Sequence, residues 1–557
     1  MTALGVAGAP GAAHADDGGR TGFRTTQASM LTTGDRADVT FTPIMTTGET
    51  LRSGYRFEAI PDGIAVRPRG DGVADVYVNH ETSTVPFPFV PAAPTAANGQ
   101  NDFDNSLLSR LTVHARSASV LRGSYPITSD EGYHRFCSTY LATSREGFDR
   151  PVLFLNEEGI EWVNRDGGTF PAAAQGAPDA RQVGVAVALD VRSGERTPIW
   201  GMGRLNHENT VALPGYRSLV TLTGDDTFLS LPPQSQVYSY LAKDTDALLA
   251  DKGDMYAFVS DTPGVDDYFD VAPGSTQSVS GHFVKVPKDI ATGKKADGTD
   301  LMAADKGFPA PVPGEFAADA FGRPTDGPQW VLEKWGDANG VFQFIRIEDI
   351  AYDKRPGRGN VVYLADSGAG TAGAPGTGVS TNGRIWKMVL DRKDPTKVTS
   401  LSVLVDGDVA PVKTPRQIHQ VDNLETTRNS ILVTEDPGSS QQFPFGSTDP
   451  NATTARLWRV PLDDPAGKEV VAKVDQGADG GPTDVDGRAP GNLGAWESSG
   501  VVDASAVFGR GAFLVTVQAH TLWVAKAPGR DLNGDGSPDW TDKREGGQLV
   551  LVRVPGA

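Results

Sequence analysis

The spacing of turn formers constrains this chain more than any other feature. Short apolar-alternating segments recur along nearly its whole length, each bounded by Gly, Pro, Asp or Asn. With 65 glycines and 39 prolines in 557 residues, a bundle of long helices is excluded and many short strands are required. Two-residue alternation places strands at Asp75–Val78, Val152–Leu155, Val183–Val191, Leu219–Thr223, Gln236–Leu241 and Gly281–Val286. It continues at Val361–Ala365, Arg384–Leu390, Ile431–Thr434, Ala455–Val460, Ala512–Gln518 and Gln548–Val554.

Some of these come as a recurring pair: a strand ending in acids, a turn, then a strand containing Ile-Trp or Leu-Trp. Asn360–Asp366 followed by Gly383–Leu390 is one case, and Ser430–Asp436 followed by Ala455–Val460 is another. Repeated hairpins of this kind are what a β-propeller needs, because each blade is a small twisted sheet packed on its neighbours. The expected fold is all-β: a β-propeller of about six blades of roughly 40–50 residues each, with loop insertions and few short helices.

A single propeller domain is expected over residues 26–557. Polar or Gly-rich stretches at Pro91–Asn105, Asp289–Gly327, Gly368–Asn382, Pro437–Thr453 and Gln476–Gly491 read as loops. The main insertions span about 242–328 and 437–453, and a separate small domain in Ala242–Pro328 stays open. Residues 1–25 read either as the remnant of a secretory signal ending in Ala13-His14-Ala15 or as a disordered tail. The first reading implies a secreted or periplasmic protein. No apolar run approaches the roughly 20 residues that span a bilayer. The net charge of −19 argues against a nucleic-acid partner, so an anionic ligand must be met by bound cations or a local arginine. A monomer acting on a small molecule is expected.

The chemical signal is a set of acids at strand ends: Glu81, Glu157 and Glu158, Glu208, Glu348 and Asp349, and Glu435 with Asp436. Singly, each is an ordinary solvated turn. Brought together at one mouth of a propeller, they could not all stay ionised without hard cations, so a polynuclear oxygen-rich metal site is expected. Arg346 lies two residues before Glu348, where its planar fork suits either a phosphoryl oxygen pair or a structural ion pair with Glu348 or Asp349. Cys137 is the one cysteine, so no internal disulfide forms; it is a buried small hydrophobe, a metal ligand or a nucleophile. The run Asp531–Asp542 places oxygen donors at Asp531, Asn533, Asp535, Ser537, Asp539 and Asp542 with Gly536 at the sixth position. That is the spacing of a twelve-residue calcium loop, here inserted between strands and structural rather than catalytic; an ordinary Asp/Gly turn is the alternative.

In order along the chain stand Asn79-His80-Glu81, Phe136-Cys137-Ser138, Asn156-Glu157-Glu158, Gly203 to Glu208, Thr223 to Asp226, Arg346 to Ala351, Asp422-Asn423-Leu424, Glu435-Asp436 and Val517 to His520. This series resembles the PhoX-type alkaline phosphatase family from about residue 55 onward. The resemblance implies a secreted six-bladed propeller whose mouth holds two irons and several calcium ions and hydrolyses phosphate monoesters. It implies Cys137 and Glu208 as iron ligands, Glu348 as a ligand of the cluster, and Arg346 as the catalytic, phosphate-holding residue. It implies Glu81, Glu157, Glu158 and Glu435 on the calcium side, with Asn79, Asp349, Asp422 and Asp436 around them. The chain departs from the family after Cys137-Ser138, where Thr139-Tyr140-Leu141-Ala142 replaces a glycine pair and a Thr-Pro-Trp-Gly segment. Two other functions fit the acids without the cysteine: a calcium-dependent propeller hydrolase of lactonase or phytase type, and a calcium-stabilised binding module without catalysis.

Overall fold

A computed structural model describes residues 22–81, 107–128, 131–164, 180–227, 229, 232–316, 325–368, 382–412, 414–436, 450–479, 496–525 and 541–557. The fold is all-β with few, short helices, the longest being Pro328–Asn339 among the described residues. The arrangement is propeller-like. Four sheets of blade size stand beside a nine-stranded sheet whose first and last strands meet.

Six strands form the inner wall: β1 (Ile60–Gly70), β2 (Phe136–Ala142), β3 (His207–Leu213), β4 (Ile347–Tyr352), β5 (Val421–Thr426) and β6 (Glu497–Asp503). Each packs on the next, and β6 returns to β1. β3 and β4 are the two edges of the nine-stranded sheet; the other four each begin their own sheet. Strands proposed as part of an insertion within 242–328, Asp254–Ser260 and Val279–Lys285, belong instead to the nine-stranded sheet, joining its halves where Val279–Lys285 pairs with Lys397–Asp406. The second proposed insertion, 437–453, lies mostly outside the described residues, as does the tail at 1–21. Segments far apart in sequence share one of these sheets: Thr40–Thr46 pairs antiparallel with Thr541–Arg553.

The recurring acid-and-tryptophan pair has a physical cause. Trp386 Nε1 donates to Asp366 Oδ2 at 3.1 Å, and Trp458 Nε1 donates to Glu435 Oε1 at 2.7 Å. Both indoles are fully buried, so each needs an acceptor, and the acid ending the neighbouring strand supplies it.

Candidate metal centre at the inner ring

All six inner strands carry the same irregularity. Pairing with the second strand runs from Pro61 to Ile64, Phe136 to Thr139, His207 to Thr210, Ile347 to Ile350, Val421 to Leu424 and Ser498 to Val501. Each time two residues oppose one, which is a β-bulge. A bulge breaks the in–out alternation of a strand and re-aims its side chains. The first bulge residues are Asp62, Cys137, Glu208, Glu348, Asp422 and Ser499; the second are Gly63, Ser138, Asn209, Asp349, Asn423 and Gly500. Two layers of mostly polar side chains thus line the channel.

The first layer holds the anionic cluster. Donor atoms of Asp62, Glu81 and Cys137 lie within 4.8 Å of one another, and so do those of Cys137, Glu158 and Glu208, and of Glu208, Asp226 and Glu348. The groups share members, so they form one continuous chain of donors. The Cys137 thiol sits 3.0 Å from Glu208 Oε1 and 3.9 Å from Glu81 Oε1. Glu208 Oε2 is buried and has no hydrogen-bond partner among the described residues. Arg346 meets Asp226 with Nε at 2.9 Å and Nη2 at 2.7 Å, Glu348 at 2.5 Å and Asp436 at 3.6 Å. Arg135 lies 3.7 Å from Glu158, and His520 bridges Glu497 at 3.2 Å and Glu545 at 2.7 Å.

Burial without enough countercharge is the dominant electrostatic fact. It pushes Glu158, Glu208, Glu348, Asp422 and Glu497 well above the usual carboxylate range, with neighbouring acids adding to the shift. Glu81 is pushed up to about 7 by burial and by the charge of Asp62. The Cys137 thiol is pushed well up by burial, then by Asp62 and Glu208. Burial opposes the Arg346 charge, but Asp226, Glu348 and Asp436 more than offset it. A set like this either holds protons or holds cations. The donor set could hold cations, since carboxylate oxygens suit hard cations and a thiolate suits softer transition metals.

Several expected ligands have other work. Glu157 accepts from the backbone N–H groups of His134, Gly184 and Val185 at 2.9–3.1 Å. Glu435 takes the His419 and Arg456 N–H groups, the Arg456 guanidinium and the Trp458 indole. Both carboxylates are engaged by N–H donors, and neither belongs to the donor groups around Cys137 among the described residues. Asp349 belongs to the second layer, where it accepts from Ile350 N, Leu424 N and Asn209 Nδ2, so it is not a member of the Cys137 cluster. Asn79 donates to the Cys137 carbonyl at 2.7 Å and fixes a bulge. Asp531, Asn533, Asp535, Ser537 and Asp539 lie outside the described residues; Asp542 stands in the strand Thr541–Arg553 opposite Val524.

Sequence reasoning missed Asp62 and Glu497. Asp62 sits in Pro61-Asp62-Gly63, which reads as a turn and is a bulge. Glu497 opens β6 as a lone acid before two serines, with no acidic neighbour to mark it.

No family model and no curated protein matches the chain. Among solved structures, a protein of unknown function from Dyadobacter fermentans is similar at 10% identity and a TM-score of 0.40, over 93% of this chain and 100% of that one. A NanB sialidase variant from Streptococcus pneumoniae is similar at 8% identity and a TM-score of 0.30, over 92% of this chain and 70% of the other.

Proposed function

We propose that this chain is a metal-dependent phosphomonoesterase similar to the PhoX-type alkaline phosphatases, secreted or periplasmic and acting as a monomer. The nine-stranded sheet is then two blades joined at their outer edges, giving six blades around the channel. The observation that carries the reading is the Cys137 thiol 3.0 Å from Glu208 inside a chain of carboxylates that ends at Arg346.

Cys137, Glu208, Glu158 and Glu348 would hold iron, with Asp62, Glu81 and Asp226 beside them on the calcium side. Bound there, the cations would neutralise phosphate charge and polarise its oxygens. Asp226 orients the Arg346 fork by two parallel hydrogen bonds, and the guanidinium so held would offer its charge to a phosphate oxygen. Burial of the ring excludes bulk water and strengthens each of these interactions.

A second reading has its own support. The fork of Arg346 is already committed to Asp226, as in a structural ion pair, and this favours a calcium-stabilised binding module without catalysis. Metal analysis, a visible spectrum and hydrolysis of an aryl phosphate by the wild type and Cys137→Ser separate the two. The phosphatase reading expects iron with calcium, a visible charge-transfer band, and loss of band and activity together in a folded Cys137→Ser. Calcium alone, with no hydrolysis by the wild type, sinks it.

A further inference from the structure

The two ends of the channel carry opposite charge. The acids of the first layer stand in bulges near the start of the inner strands, and the turns that join each inner strand to the second strand of its sheet stand at the other end. Those six turns, 71–72, 143–151, 214–218, 353–360, 427–429 and 504–511, hold eight lysines and arginines against four acids, in a chain whose net charge is −19. The second bulge layer and two of these turns line a chamber of about 230 Å³. Its walls include Ile64, Val66, Tyr140, Leu141, Val211 and Ile350. Arg145, Tyr352 and Lys354 line both this chamber and a wider vestibule of about 480 Å³, where Arg355 and Arg428 join them.

The acids around these two spaces are already engaged. Glu146 accepts from Thr143 N and Oγ1 at 2.9 Å and from the Tyr352 hydroxyl at 2.7 Å. Asp353 holds the Arg355 fork, Glu425 pairs with Lys354, and Asp503 accepts from Ser505 N at 2.8 Å. Burial pushes Asp349 well above the usual carboxylate range, so the floor adds little negative charge. Arg145 and Arg428, by contrast, are exposed and make no ion pair among the described residues. The Arg145 guanidinium reaches the Lys354 carbonyl at 3.4 Å and stands 5.5 Å from the Tyr352 ring.

An exposed arginine on a flat surface is simply solvated. Here two of them rim a concave space whose apolar walls focus their field. A guanidinium fork matches the two oxygens of a carboxylate, and an apolar chamber behind it takes the rest of a small molecule. An extended polyanion would be repelled by the acidic surface beyond the mouth, whereas a small anion meets only the mouth. We propose that the end of the channel opposite the Cys137 cluster binds a small organic carboxylate, its apolar or aromatic body in the chamber and its charged group on Arg145, with Arg428 adding to the attraction. This site is separate from the acids of the first layer and does not rest on phosphatase activity.

Crystals of the full chain soaked in para-bromobenzoate give a position-resolved test. An anomalous bromine peak inside the chamber, within about 4.5 Å of Tyr140 or Val211, is expected. Bromine found only elsewhere, or nowhere, overturns the proposal. In solution, para-fluorobenzoate titrated under fluorine NMR should bind Arg145→Ala about tenfold or more weakly than the wild type, the loss expected of one charge-assisted hydrogen bond. Arg358→Ala, in the turn 353–360 but outside both spaces, should bind as the wild type does. Inorganic phosphate should compete poorly, because it leaves the chamber unfilled. Wild-type affinity in Arg145→Ala, an equal loss in Arg358→Ala, or inorganic phosphate competing as well as the aryl carboxylate each overturns the proposal. Both arginines are exposed, so the variants keep the fold.

Discussion

Glu435 and Glu208 look alike in the sequence, each an acid at the end of an apolar run, and the structure gives them opposite tasks. Both oxygens of Glu435 are filled by donors, chiefly the buried Arg456 and Trp458. Removing one partner of a buried hydrogen-bonded charge pair leaves the other uncompensated, at a cost of about 3–5 kcal/mol. Glu435→Gln is therefore expected to lose stability on that order in urea unfolding while its metal content stays at the wild-type level; a drop in bound metal without unfolding would return Glu435 to the ligands. Glu208, with one oxygen on Cys137 and the other unpaired, should behave in the reverse way. That Cys137, Glu208, Glu348 and Arg346 lie together was legible in the sequence. Which acids face the channel was not, because that depends on where a neighbouring tryptophan or backbone amide takes the carboxylate first.

At the scale of the element, the repeated bulge does the sorting. Strand positions were legible from two-residue alternation: Arg384–Leu390 is a strand with those bounds, and Val152–Leu155 lies within Val152–Glu157. The bulges were hidden because an extra residue looks like an error in alternation or, at Pro61-Asp62-Gly63, like a turn. Gly63 shows what the geometry demands: an added Cβ would stand 2.4 Å from Thr139 N and 2.6 Å from Ser138 Cα. Those atoms are backbone and cannot rotate away, so β1 and β2 would have to separate. Gly63→Ala is expected to cost about 1–3 kcal/mol, as overpacking does, and to weaken calcium binding by moving Asp62 away from Cys137. Calorimetric titration of the variant checks this, and wild-type stability and affinity together would refute the close approach.

For the whole molecule, the buried carboxyls make stability depend on pH. In the cation-free fold Glu81 is held up to about 7 and Asp366 to about 7 by burial, whereas unfolded carboxyls titrate near about 4. The folded state then binds more protons than the unfolded state in that window, so stability falls as pH rises through it. His520 adds to the same slope. Burial lowers its pKa but Glu545 raises it further, to about 9, so its contribution is complete below about 6.5 and disappears as pH passes 9. The melting temperature in excess chelator is expected to drop between about pH 5 and 8, and added calcium to restore it most at the alkaline end. A flat or rising chelator series would show that the acids are not held in this way.

The antiparallel seam between Thr40–Thr46 and Thr541–Arg553 draws segments far apart in sequence into one sheet, and β6 and β1 stand side by side at that join. Asp62 comes from one side of it, and Ser499, which donates to Asp62, from the other. Opening that seam would therefore separate Asp62 from Ser499 and loosen the wall on which the acids converge.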